Sequence, residues 1–476
     1  MNWDVRDYIA RVQAAGQLKE IKGADWDLEI GCLTSLLSKQ DNCPAIIFDE
    51  IKDYPKGFRL LTAPTSNPVT LCITFGLPVI SNTLELLEVL RQKLPVWQGA
   101  ASANLPTVVK SGPVMENVYS GKDIDLFKFP TPRWNELDGG RYIGTGDAII
   151  TRDPDDGWTN VGTYRVMVHD KNTLGFHMSP GKHGRIHYEK LHARGKPCPI
   201  AVSIGHHPLV YRVGCLEFSP GIEYGLLGAI AGSPVPVIQE DITGLPIPAD
   251  AEAVIVGWCP PNEFREEGPF GEWTGYYASK GRPAPIINVE RIYHRNNPVM
   301  LGSCNAIPPH EDSYYHSVMR STVIYSEMIQ AGIPDVRAVW LSNVGGRLLI
   351  TLSIKQRYAG HAKQAALIAS QSTVGAYMGR YVIVVDEDID PTDTQEVLWA
   401  LCTRSDPEKD IDIIRRAWST PLDPIIRKPA TAFMNSRAII DACKPYEWMD
   451  EFPQEIKIDE AVAARVMQKW GDILKS

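Results

Sequence analysis

The feature that most restricts how this chain can fold lies in its middle, between about Val108 and Met300. There the sequence runs in short alternating or β-branched stretches, among them Ala148-Ile149-Ile150, Arg165-Val166-Met167-Val168, Ile200-Ala201-Val202-Ser203 and Ile286-Ile287-Asn288-Val289, closely punctuated by Gly and Pro. Runs this short have the length of buried strands rather than of helices. With turn residues so frequent between them, they favour a β-rich barrel or sandwich.

The flanks read differently. Asp4 is placed to cap a first helix whose apolar positions Val5, Ile9 and Val12 recur at helical spacing, with Gly16 as its stop. A strand from Pro44 to Phe48 and an amphipathic helix from Thr83 to Leu94 follow, which together make a small α/β unit. After Asn305 helices and strands alternate: helix His316 to Gln330, strands Val336 to Leu341 and Leu348 to Ile354, helix His361 to Met378, strand Tyr381 to Val385 and helix Thr394 to Cys402. Such alternation marks an α/β layer. The last segment, Asp459 to Leu474, is amphipathic, with Val462, Val466 and Ile473 on one side, and is the candidate for packing on another subunit. The expected class is thus α/β (α+β). Its units are a small N-terminal α/β unit over residues 1–107, a β-rich unit over 108–305, a C-terminal α/β layer unit over 306–455 and a tail helix within 456–476.

Charge and composition remove several function classes. A formal charge of -9, with Lys and Arg scattered, offers no basic stripe for a nucleic-acid backbone. No run approaches the roughly 20 apolar residues needed to cross a bilayer, and the start Met1-Asn2-Trp3-Asp4 lacks the pattern of a signal peptide. Nucleic acid and membrane are therefore not expected as partners, and the cytoplasm is the expected location. Nine scattered cysteines without a CxxC pair suggest neither a disulfide framework nor a zinc cluster. Phosphate-loop, G-x-G-x-x-G, G-x-S-x-G and H-E-x-x-H patterns are absent, which argues against ATP hydrolysis, Rossmann-type dinucleotide binding and the common hydrolase mechanisms.

Three clusters remain. In Trp158-Thr159-Asn160-Val161-Gly162-Thr163-Tyr164-Arg165, alternation along one strand would put Asn160 and Gly162 on one face and Arg165 on the other. His177-Met178-Ser179-Pro180-Gly181-Lys182-His183-Gly184 is a Gly-containing turn able to offer positive charge and backbone N-H groups to a phosphate. Taken alone, the first reads as a structural strand and the second as a polar surface loop. The third, Glu266-Glu267-Gly268-Pro269-Phe270-Gly271-Glu272-Trp273-Thr274-Gly275-Tyr276-Tyr277, sets Glu267 and Glu272 around a Gly-Pro-Phe-Gly turn among aromatics. Burial there would raise a carboxyl pKa and prepare it for proton transfer near neutrality.

In this order and spacing the three clusters resemble the UbiD family of reversible decarboxylases that use prenylated FMN. The resemblance extends over nearly the whole chain, through Ile222-Glu223-Tyr224-Gly225, Arg295-Asn296-Asn297-Pro298, Tyr358-Ala359-Gly360-His361 and Asp386-Glu387-Asp388-Ile389-Asp390. It implies a split-barrel-like cofactor domain in the middle of the chain. Asn160, His183 and Glu223 match the residues that bind a divalent metal, Mn2+ or Mg2+, against the cofactor phosphate, with K+ nearby. Thr163, Tyr164 and Arg165, then His177, Met178 and Ser179, and Lys182 with His183, match the flavin-contacting stretches. Glu267, Arg165 and Glu272 match the catalytic network, in which Arg165 orients the acid and Glu272 returns a proton where CO2 has left.

Removal of CO2 from an unsaturated carbon needs an electron sink, and in the family a covalent substrate-cofactor adduct provides it. The implied partners are a small carboxylic acid, CO2 or bicarbonate, a flavin prenyltransferase that supplies the cofactor, and further copies of the chain in a homodimer or homohexamer. Thr420, Leu422 and His310 or His316 fall where relatives line the substrate pocket, although a histidine in such a loop is more often at the surface. An aromatic or heteroaromatic acid, hydroxylated or not, is the expected substrate. The alternatives are an acrylic acid, a flavin-binding accessory protein without chemistry, or a hydrolase built on Asn160, His183 and Glu223.

Overall fold

The computed structural model describes residues 2–216, 218–278, 280–427 and 433–474. Its centre is a ten-stranded sheet. Side by side along it lie Arg141–Gly144, Arg165–Val168, Thr173–His177, Arg282–His294, Ala253–Cys259, Cys198–Ile204, Ala148–Arg152 and Thr159–Gly162; Asn117–Ser120 and Phe264–Glu267 pair with the long strand Arg282–His294. The chain leaves the last strand of this path at Gly162 and enters the second at Arg165. Three peptide links reach no further than about 11 Å, so the far end of the sheet has to curl until it stands beside the near end. The β-rich expectation is met by this curled half-barrel. Asn160 and Arg165, expected on one strand, instead sit on two strands at the closing edge, because the backbone breaks at Thr163 and Tyr164.

Successive strand residues face opposite sides, and here both sides are buried. Ile149, Val202 and Ile255 enter one core with Val166, Phe176 and Ile287. Their neighbours Ala148, Ile150, Ala201, Val254 and Val256 enter another, covered by Leu86 and Leu90 of the helix Thr83–Ala100 and by Leu226 and Leu227 of Glu223–Ala231. That double burial is why these strands read as nearly continuous apolar runs.

The N-terminal helix Val5–Ala14 forms as expected, with the Asp4 carboxylate accepting from the Arg6 amide at 2.8 Å. The strands Leu18–Lys22, Ala45–Asp49 and Arg59–Thr62 build a four-stranded sheet whose last member, Val299–Leu301, arrives from far along the chain. The helix from Thr83 continues past Leu94 and Pro95 to Ala100, since Leu94 and Trp97 stay buried on its core face.

The C-terminal unit is a five-stranded mixed sheet in the order Val336–Leu341, Leu349–Ile354, Tyr381–Asp386, Met434–Asp441 and Ile411–Trp418. The single helix expected from His361 to Met378 is two, His361–Gln371 and Thr373–Met378. Ser372 takes an extended conformation between them, and its hydroxyl accepts from the Gly375 amide at 3.0 Å as an N-cap. The tail helix Glu460–Leu474 is present. No helix of the described residues is long and apolar enough to cross a membrane.

Candidate active site

The closing edge of the barrel faces the N-terminal end of the helix Ser313–Gln330, and a cavity of about 410 Å³ lies between them. Arg165, the first residue of its strand, projects from the edge. The strand Phe264–Glu267 ends in Glu267, and the following turn returns Glu272 to the same guanidinium. Arg165 Nε and Nη2 donate to Glu267 Oε1 and Oε2 at 2.7 and 2.8 Å, a two-pronged pair, while Nη1 donates to Glu272 Oε1 at 2.8 Å. The Tyr142 hydroxyl adds a donor to Glu267 Oε1 at 3.0 Å, and the Phe270 ring lies 4.7 Å beneath the guanidinium.

The turn that carries Glu272 is held closely. Gly268 has φ +87, and a Cβ on Gly139 would stand 2.0 Å from the Gly268 carbonyl oxygen, so only glycine fits at Gly139. Asp138 accepts from the Gly271 and Asn135 amides at 3.0 and 2.9 Å, and burial pushes its carboxyl up to about 6.

Two carboxylates share one guanidinium in a largely buried site, and the proton equilibria follow from that ratio. Burial, aided by the neighbouring Glu267 charge, raises the Glu272 carboxyl above its ordinary value although Arg165 opposes the shift. Burial works against the Arg165 charge, but Glu272 and Glu267 hold its pKa above the ordinary value, so it stays protonated. His177, opposite Arg165 in the strand register, is pushed down to about 2 by burial and by Arg165 and Arg282, and is neutral.

At the other end of the cavity Asn160, His183 and Glu223 come together. His183 opens the helix His183–His192 and Glu223 opens Glu223–Ala231; His183 Nδ1 lies 3.8 Å from Glu223 Oε1. Glu223 is buried, and its Oε2 has no hydrogen-bond partner among the described residues. An unpaired buried carboxylate oxygen is costly unless a cation or donor meets it. An amide oxygen, an imidazole and a carboxylate suit Mn2+ or Mg2+ with open positions for phosphate and water. Among the described residues no group of three or more His, Cys, Asp and Glu could hold a metal, and here the third donor is an asparagine.

The cavity wall gathers Asn160, Thr163, Tyr164, Arg165, His177, Ser179, Lys182, His183, Glu223, Glu272, His316 and Leu422 of the residues singled out from sequence. Glu267 lies behind Arg165. Met178 is packed in the barrel core, and Thr420 stands one side chain behind the wall, its hydroxyl donating to Tyr377 at 2.8 Å. His310 and His316 are not surface residues: both are buried, and His316 belongs to the first turn of the helix Ser313–Gln330. Only His316 reaches the cavity.

Sequence reasoning missed Asp312 and Arg347. Asp312, at the N-cap of that helix, accepts from His316 Nε2 at 2.8 Å and Arg347 Nη2 at 2.9 Å, and pairs closely with Arg212. Burial favours its neutral form, but His316, Arg212 and Arg347 hold the carboxyl well below its ordinary value. Arg347 in turn lies 5.1 Å over the Trp273 ring, next to Glu272. The acidic N-cap position was a legible signal for Asp312; nothing local marked Arg347.

Fold and site together define a mixed α/β enzyme with one guanidinium and two carboxylates at the edge of a cavity. Comparison with known proteins makes this specific. Residues 9–90, 107–308 and 313–442 match the N-terminal, Rift-related and C-terminal domains of 3-octaprenyl-4-hydroxybenzoate carboxy-lyase. The pyrrole-2-carboxylic acid decarboxylase of Pseudomonas aeruginosa is 30% identical over 98% of both chains. The vanillic acid decarboxylase of Sedimentibacter hydroxybenzoicus, in its open form, superposes with a TM-score of 0.85 at 31% identity, covering 99% of each chain. The UbiD-class enzyme HmfF of Pelotomaculum thermopropionicum in complex with FMN gives 0.83 at 28% identity, covering 96% of this chain and 98% of that one. An evolved dimeric form of HmfF has been solved in complex with prFMN and gives 0.80 at 27% identity, with the same coverage. The chain belongs to the UbiD family of carboxy-lyases.

Proposed function

We propose that the chain catalyses the non-oxidative, reversible decarboxylation of an aromatic or heteroaromatic acid, with prenylated FMN held through a Mn2+ or Mg2+ ion at Asn160, His183 and Glu223. The observation that carries this reading is the contact of Arg165 with Glu272 on the cavity wall and with Glu267 behind it, at 2.7–2.8 Å. When bound, the modified flavin supplies the electron sink that loss of CO2 from an unsaturated carbon requires. Lys182, His183 and the turn around Ser179 would hold its phosphate tail through the metal and through charge.

The protein's own part begins at Arg165. Two of its nitrogens are committed to Glu267, which leaves Nη1 to be shared between Glu272 and the carboxylate of the substrate. A substrate carboxylate taking Nη1 removes the contact that opposes the rise of the Glu272 pKa, and Glu272 takes up a proton. Once CO2 departs, Glu272 delivers that proton to the vacated carbon.

Support for the substrate class comes from His316. Its Nε2 donates to Asp312, and burial, with the charge of Arg347, pushes the ring down to about 3, so it is neutral and Nδ1 is left as an acceptor. Nδ1 has no partner among the described residues. A ring bearing a hydroxyl or N-H group would supply the missing donor, whereas a plain acrylic acid would leave it unmet. The same reading puts the protein in the cytoplasm beside a flavin prenyltransferase. It also makes the tail helix, with Val462, Val466 and Trp470 facing solvent, the contact of a homodimer or homohexamer.

The test is CO2 release from a panel of hydroxybenzoic, pyrrole, furan, indole and acrylic acids, by protein produced with and without a flavin prenyltransferase. Turnover of a hydroxyl- or N-H-bearing acid only with the co-produced partner is expected. Protein that releases CO2 from none of them would instead be the accessory flavin-binding protein.

A further inference from the structure

The metal reading explains Asn160, His183 and Glu223 but not why these three side chains stand ready. Asn160 is buried, and an amide in its place could turn either its oxygen or its nitrogen toward the ion. Its surroundings decide between them. The Asn160 Nδ2 group has two hydroxyl oxygens within reach, Thr151 Oγ1 at 3.5 Å and the Tyr164 hydroxyl at 3.4 Å. Thr151 stands in turn 2.9 Å from His187 Nδ1, and His187 Nε2 faces Asp153 Oδ2 at 3.6 Å. Asp153 is an anion, paired with Lys190 at 2.6 Å. An anion opposite Nε2 keeps the ring proton there, which makes Nδ1 the acceptor of the Thr151 hydroxyl proton. The Thr151 oxygen is then free only to accept, and the amide must present its N-H to it and its oxygen away from it.

Tyr164 ties this arrangement to the second ligand. Its hydroxyl also accepts from the Gly184 amide at 2.9 Å, one residue beyond His183. The ring is closely fitted: a Cβ on Gly162 would stand 2.7 Å from the hydroxyl oxygen and one on Gly184 2.9 Å from it. A single phenol oxygen thus touches the side chain of one ligand and the backbone beside another, at the two-residue break that closes the barrel.

Resting on the metal site proposed above, we infer that Tyr164 is a positioning residue for the ion. It registers Asn160 against His183, and Thr151, oriented by His187 and Asp153, fixes which end of the amide the ion meets. Tyr164→Phe removes one oxygen and keeps the ring that fills the space between the two glycines.

Mn2+ titrated into the full chain in the presence of FMN, followed by the electron paramagnetic resonance signal of free Mn2+, tests this without turnover. Loss of such an outer contact weakens metal binding by about 10-fold or more. Tyr164→Phe is expected to raise the Mn2+ dissociation constant by about that factor in protein that still melts cooperatively, and Thr151→Val to raise it by less. Should Tyr164→Phe fold poorly, Thr151→Val carries the test alone. Wild-type binding with both variants inside twofold of it would overturn this inference and leave the metal site standing. Wild-type protein that takes up no Mn2+ would overturn both.

Discussion

Two buried ionic arrays face each other across the cavity, and they are built with opposite charge ratios. At the barrel edge one guanidinium, Arg165, serves two carboxylates, Glu267 and Glu272. On the C-terminal wall Asp312 receives two guanidinium groups, Arg212 and Arg347, and the N-H of the neutral His316. Burial raises carboxyl pKa values in both places, but only the first array is short of positive charge. So Glu272 rises and can carry a proton, while Asp312 is pinned as an anion and serves as a post. Glu311 shows the dependence on distance: it lies 3.7 Å from Arg212, and burial pushes it up to about 7. What separates a proton carrier from a structural anion here is the number of cations in reach rather than depth.

The contrast can be broken in order of expected size. Arg165→Ala leaves Glu267 buried without its partner and should cost about 3–5 kcal/mol of stability together with all measurable turnover, read by thermal melts and CO2 release. Glu272→Gln removes the transferable proton but keeps the shape; turnover should fall by about 10² to 10⁴-fold with little change in melting temperature.

The pH profile sharpens the same point. The proposed donor is active while protonated, so turnover should be high below the Glu272 pKa and fall as pH rises through it. Because that pKa is raised, the fall should come above the ordinary carboxyl value of 4.5. For Asp312 the sign is reversed. Its folded pKa is depressed, so its contribution to stability is complete above the ordinary value of 3.8 and is lost only as pH falls toward the folded pKa. Melting temperatures measured down the pH scale should therefore hold through the range in which turnover changes and drop only below the ordinary Asp312 value of 3.8. The smallest effect is expected at His316→Phe: a loss of about 1–3 kcal/mol in preference for hydroxyl- or N-H-bearing acids over analogues lacking them, read as a ratio of kcat/KM values.

Much of this was legible in the chain because it is local. The β-branched runs of the barrel, the Asp4 cap and the acidic Gly-Pro-Phe-Gly turn are written in neighbouring residues, and the resemblance tied Arg165 to that turn. What was not legible depends on distant contacts. The break at Thr163 and Tyr164 follows from the closure of the sheet, which no stretch of eight residues encodes. The Ser372 break uses a serine indistinguishable in sequence from any polar helix residue. His310 and His316 sit in a polar stretch, yet Arg212 and Arg347, remote in sequence, cluster beside them with Asp312 and take them out of solvent.

We assign to Glu272 the proton that replaces CO2. The most direct measurement is decarboxylation in D2O by the cofactor-loaded protein, following CO2 release and deuterium at the vacated carbon in the wild type and in Glu272→Gln. One deuterium per product is expected from the wild type, and Glu272→Gln is expected to bind the cofactor but release almost no deuterated product. Wild-type rates of deuterated product from Glu272→Gln would contradict that assignment.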